Sequence, residues 1–113
     1  MPNEGATRAL ACVPDAIPPA ERTAHFARGC RLVHELAEER IDLANGYALR
    51  FGADALDEVV RFVANERKCC PFLDFELTIG AASGPVWLRM TGPAGTREVL
   101  AAELARNAPG NCC

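Results

Sequence analysis

The sequence predicts an α+β fold, a two-layer sandwich in which three helices cover a small, mainly antiparallel sheet of three or four strands. Two periodicities carry that expectation. In three stretches apolar residues recur at spacings of three and four, as in a helix with one buried face, and in others they alternate, as in a half-buried strand. Turn signals at Asn45-Gly46, Ala82-Ser83-Gly84-Pro85 and Gly92-Pro93 then separate the segments.

Residues 1–16 show no helical period and leave room for one short strand at residues 9–13. The Pro18-Pro19 step stops any extended segment and supplies a proline for the first turn of a helix. Over residues 20 to about 37, Phe26, Cys30, Val33 and Ala37 form one apolar stripe. After Asn45-Gly46, residues 47–51 have the alternation and aromatic content of a short strand. Asp54 is placed to cap the next helix, with Asp57 and Glu58 against its positive N-terminal dipole. Leu56, Val59, Val60 and Val63 line one face, and Pro71 ends the helix near Lys68 or Cys69 because proline disfavours a helical residue before it.

Phe75, Leu77 and Ile79, then Val86, Leu88 and Met90, alternate with polar or small residues and predict two half-buried strands joined by a hairpin loop. Trp87 falls on the alternate face of the second of these, where an aromatic packed against a helix is expected ahead of a partner surface. A last helix opens after Gly92-Pro93 and runs to about Arg106, with Val99, Leu100 and Leu104 on its apolar side. Pro109-Gly110-Asn111 releases the chain into an expected mobile tail, residues 107–113.

With 113 residues the chain fits one domain, residues 1–113, able to close a core without covalent staples. Its net charge of −3 argues against a nucleic-acid footprint, which needs clustered Lys and Arg to displace counterions. Arg22, Arg28 and Arg31 are interspersed with Glu21, Glu35, Glu38 and Glu39 and read as a solvated helix face. There is no basic start followed by an apolar run, and no apolar stretch near the ~20 residues that span a bilayer. The expectation is a cytoplasmic protein with no membrane partner, in which cellular reductants keep thiols reduced. Six cysteines in that setting point to ligands or redox groups rather than a disulfide scaffold.

The run Glu-Arg-Lys-Cys-Cys-Pro-Phe-Leu-Asp at residues 66–74 puts two thiols where a helix gives way to a turn. Neighbouring side chains diverge in a continuing helix or strand, so the turn forced by Pro71 is what lets Cys69 and Cys70 serve one site. Thiolates are soft ligands and select soft or borderline ions, here Hg(II) first, with Cu(I), Zn(II) or As(III) as alternatives. Cys12 is the first choice for a third ligand because it lies outside the helices. Cys30 falls on an apolar stripe and reads as packing, although with His34 it makes a Cys-x-x-x-His pair on one helix side. Cys112 and Cys113, on their tether, are placed to capture an ion and deliver it to the fixed site.

The stretch 46–104, with Glu-Arg-Lys-Cys-Cys-Pro-Phe and the later Trp-Leu-Arg-Met-Thr-Gly-Pro, resembles a family of small, mostly uncharacterised bacterial proteins. The terminal pair Cys112-Cys113 is similar to the mobile vicinal cysteines with which mercuric reductases catch Hg(II), and such pairs also occur in mercury transporters. The chain departs from both: it has no Gly-x-Gly-x-x-Gly after a strand and no transmembrane segment. What the resemblance implies is a soluble mercury-binding or relay protein that passes its ion to another thiol protein. The competing expectations are a thiol-dependent enzyme and a structural domain that dimerises through a sheet edge. The enzyme would be either a thiol redox protein or an organomercurial lyase-like one with Asp74 or Glu66 as proton donor.

Overall fold

The computed structural model describes the backbone of residues 10–106 and the side chains of residues 10–102. Helix α1 spans Pro19–Arg31, strands β1 and β2 span Glu39–Leu43 and Gly46–Phe51, and helix α2 spans Leu56–Cys69. Strands β3 (Asp74–Ile79) and β4 (Val86–Thr91) and helix α3 (Thr96–Arg106) complete the α+β fold. The sheet is antiparallel throughout, in the order β1-β2-β4-β3.

Register explains which sheet face is buried. Tyr47 pairs with Met90, Leu49 with Leu88 and Phe51 with Val86, and β3 extends the same rows with Phe75, Leu77 and Ile79. Against them pack Val59 and Phe62 of α2, Leu100 of α3, and Ile17, Leu32 and Phe72 from the connections. Phe51, Phe72, Ile17 and Val59 are wholly buried. The opposite face carries Arg50, Trp87, Thr78, Arg89 and Glu76, half-buried or exposed. At the turn into β2, a Cβ on Gly46 would lie 1.8 Å from the Met90 carbonyl oxygen, so only glycine permits this approach of the two strands.

Several expectations change. Residues 10–13 form no strand but an arm beside the end of α2, followed by a 3-10 turn at Pro14–Ala16. Helix α1 has Pro19 in its first turn, then gives way after Arg31 to a π turn at Leu32–Leu36, closed by the Ala37 N–H on the Leu32 carbonyl. Its buried residues are His25 and Cys30, while Phe26, Val33 and Ala37 are half-buried. Asp54 does not cap α2; it sits within a 3-10 turn, Ala53–Ala55, that leads into the helix. Asp57 and Glu58 in the first turn and Arg67 and Lys68 in the last do match the helix dipole.

The buried face of α2 runs through Val59, Phe62, Asn65 and Cys69, and Val60 is left 47% exposed. Leu77 and Ile79, on the edge strand β3, are exposed as well, Ile79 to 56%. The β3–β4 loop places Ala82 and Ser83 at φ of 55° and 60°, a left-handed geometry that costs such residues about 1 kcal/mol or more. The side chain of Leu104 lies outside the described residues.

Candidate metal centre

The centre forms where α2 stops. Cys69 is the last helical residue, and Cys70 leaves the helix at φ −118°, ψ 77° while its N–H still donates to the Glu66 carbonyl at 2.7 Å. Pro71 enforces that exit by disfavouring a helical Cys70. The arm comes alongside through a hydrogen bond from the Val13 N–H to the Cys69 carbonyl, at 2.6 Å. That bond brings Cys12 to a helix end 58 positions further along the chain.

Cys12, Cys69 and Cys70 carry reduced thiols, and their three sulfurs all lie within 4.8 Å of one another. The Cys12 and Cys70 sulfurs are 3.1 Å apart. Cys69 and Cys70 are buried and Cys12 is half-buried, so the cluster is closed on the core side and reached from the arm. Among the described residues no other three His, Cys, Asp or Glu side chains meet this closely.

A carboxylate borders the thiols. The Cys70 sulfur donates to Glu66 Oε2 at 3.4 Å, and the other carboxylate oxygen, Oε1, is 2.8 Å from His25 Nε2. His25 is itself buried, stacked on Phe62 at 5.3 Å and edge-on to Phe26 at 5.4 Å. The aromatic rings thus hold the imidazole, the imidazole orients the carboxylate, and the carboxylate meets the thiol. Beyond Glu66 and His25 lies a cavity of about 60 Å³, lined also by Phe26, Leu49 and Phe62, with room for roughly two waters.

These surroundings push the Cys70 thiol far above its ordinary pKa. The largest cause is the hydrogen bond with Cys12, followed by that with Cys69, then burial, then the negative charge of Glu66. Without an ion, Cys70 is therefore a thiol. An arriving metal must displace that proton, as thiolate coordination requires.

All three cysteines expected at the fixed site, Cys12, Cys69 and Cys70, meet in it. Cys112 and Cys113 lie outside the described residues. Cys30 is disulfide-bonded, which departs from a wholly reduced chain and leaves it no thiolate to share with His34. Asp74 stands exposed at the start of β3, and Glu66 is the carboxylate beside the thiols. The buried role of His25 was not read from the sequence, since it sits one residue before the expected Phe26 stripe. A legible signal for Glu66 did exist: spacings of three to Cys69 and four to Cys70 place it on their side of a helix. No described helix is long and apolar enough to cross a membrane. Scans against protein-family models, curated proteins and solved structures find no match to the chain.

Proposed function

We propose that this protein binds a soft, thiophilic metal ion through Cys12, Cys69 and Cys70, for sequestration or for relay to another thiol protein in the cytoplasm. One observation carries the reading: three reduced thiols from two distant segments converge within 4.8 Å in a largely sealed site. Metal–thiolate bonds of about 2.3 Å arranged in a trigonal plane set sulfurs roughly 4 Å apart. The cluster is therefore near coordinating size, and the 3.1 Å Cys12–Cys70 contact must open by about 1 Å.

The donor set narrows the ion. Three sulfurs favour soft ions content with two or three thiolates, Hg(II) foremost, with As(III) and Cu(I) as alternatives. Structural Zn(II) takes four ligands, and among the described residues no fourth His, Cys, Asp or Glu joins the group. Cys12, half-buried on the arm, is the sulfur by which an ion enters and leaves through ligand exchange. In the fully reduced chain Cys112 and Cys113 are proposed as capture ligands that feed it.

Titration of the reduced protein with Hg(II), Cu(I), Zn(II) and As(III), followed by thiolate–metal absorbance, tests the site. Cys12→Ser, Cys69→Ser and Cys70→Ser are each expected to weaken binding; variants that bind as the parent does would refute it. A second reading rests on Glu66, whose carboxyl lies 3.4 Å from the Cys70 sulfur. In an organomercurial lyase-like reaction Glu66 takes the Cys70 thiol proton as that sulfur bonds to mercury and passes it to the mercury-bound carbon; the carbon–mercury bond breaks, and the thiolates keep the ion. Release of hydrocarbon from an organomercurial separates turnover from binding.

A further inference from the structure

We infer that Cys12 and Cys70 also form a two-electron redox couple, whose oxidation to a disulfide dismantles the metal centre and releases its ion. The consequence for the ion rests on the metal-binding reading; the couple itself rests on geometry alone. The two sulfurs stand 3.1 Å apart, and a disulfide of about 2.05 Å is reached by closing roughly 1 Å. Neither backbone need travel far, since Val13 is bonded to the Cys69 carbonyl and Cys70 to the Glu66 carbonyl.

Geometry also selects the pair. Cys69 and Cys70 are adjacent, and consecutive Cα atoms about 3.8 Å apart fall short of the roughly 4.4–6.8 Å that a disulfide spans, so joining them would distort the end of α2. Cys12 instead faces Cys70 across the arm–helix contact. Cys12 is the more exposed of the two, beside an exposed Val13, whereas Cys70 is fully buried. An oxidant from solvent meets Cys12 first.

With a hydroperoxide as oxidant the chemistry closes. The Cys12 sulfur attacks one peroxide oxygen and the O–O bond breaks; the departing hydroxide takes the proton from Cys12 and leaves as water, with a sulfenic acid on Cys12. The Cys70 sulfur then attacks the Cys12 sulfur and the S–O bond breaks; the hydroxide takes the Cys70 proton and leaves as a second water. One hydrogen peroxide is reduced to two waters as two thiols become one disulfide. Two of the three donors are then spent, and Cys69 alone does not hold an ion. Conversely, a bound ion keeps the sulfurs roughly 4 Å apart and occupies their lone pairs, so it protects the couple.

The test uses the full reduced chain exposed to stoichiometric hydrogen peroxide, followed by alkylation, digestion and mass spectrometry. The expected product is a Cys12–Cys70 crosslinked peptide, with both of these residues protected from alkylation. It should form in Cys69→Ser, be absent from Cys12→Ser and Cys70→Ser, and be suppressed by prior loading with Hg(II). Affinity for Hg(II) should fall by roughly tenfold or more and return with dithiothreitol. A Cys69–Cys70 disulfide, or sulfinic acid on Cys12 with no crosslink, overturns the proposal, as does undiminished binding by the crosslinked protein. A Cys12–Cys70 crosslink in a protein that binds none of the ions when reduced upholds the couple and overturns the metal reading.

Discussion

Replacing Glu66 by alanine tests whether the His25–Glu66–Cys70 chain holds the end of α2 together. The substitution removes the acceptor for the ring N–H of His25, 2.8 Å away, and for the Cys70 thiol at 3.4 Å. His25 is 1% exposed, and its other nitrogen, Nδ1, has no partner among the described residues, so losing Glu66 leaves the ring without a hydrogen bond to described protein. Stranding a buried donor costs about 1–3 kcal/mol, with charge-assisted bonds toward the upper end. The weak thiol bond adds little, so the expected loss is about 2–3 kcal/mol. At a urea slope near 1.5 kcal/mol/M, that lowers the unfolding midpoint by roughly 1.3–2 M. Urea unfolding of the ion-free protein under reducing conditions measures it. Glu66→Gln keeps an acceptor for His25 and should lose less than half as much. A double-mutant cycle completes the argument, because replacing both partners by apolar groups is far less costly than stranding one. His25→Phe with Glu66→Ala should therefore be no less stable than Glu66→Ala alone. A loss under about 0.5 kcal/mol for Glu66→Ala, or strict additivity in the cycle, would show that the chain of contacts contributes nothing.

Other expectations follow from the same geometry. Because the Cys70 pKa is raised, its thiol stays protonated across neutral pH and an ion must displace the proton; affinity should rise with pH, by up to about tenfold per unit for each proton released, in a competition titration between pH 6 and 8. Phe51→Ala, at a wholly buried position between β4 and the helices, should cost about 3–5 kcal/mol by denaturant unfolding. Gly46→Ala would drive a methyl group into the Met90 carbonyl and should destabilise by about 1–3 kcal/mol or more, read as a lower thermal midpoint. The Cys12–Cys70 crosslinked form closes a loop spanning 58 positions and should gain roughly 4 kcal/mol over the reduced, ion-free form in urea.

Local signals were the readable ones. The three helices, the β3–β4 hairpin and the strand after Asn45-Gly46 come from periodicity and turn residues, which depend on neighbours a few positions away. Strand β1 escaped that reading for a physical reason. Its residues on the core side are Arg40 and Asp42, paired with Leu49 and Tyr47, and the Arg40 guanidinium lies 5.1 Å over the Tyr47 ring. An edge strand so built shows no apolar alternation toward the helices, and only pairing with β2 reveals it. The α2 stripe was misplaced toward Val60 because periodicity gives spacing but not the direction in which a helix faces its sheet.

The sequence by itself determined that α2 ends at a cysteine pair, since Pro71 acts on the residue beside it whatever the rest of the chain does. It also singled out Cys12 as a thiol outside the helices. Only the tertiary structure decided that these sulfurs meet, because the meeting depends on an irregular arm docking through one Val13–Cys69 hydrogen bond. It alone buried His25 between Phe62 and Phe26 and turned Glu66 toward Cys70. Contacts between residues 58 and 41 positions apart arise from how separately formed elements pack, and no local pattern of residues encodes them.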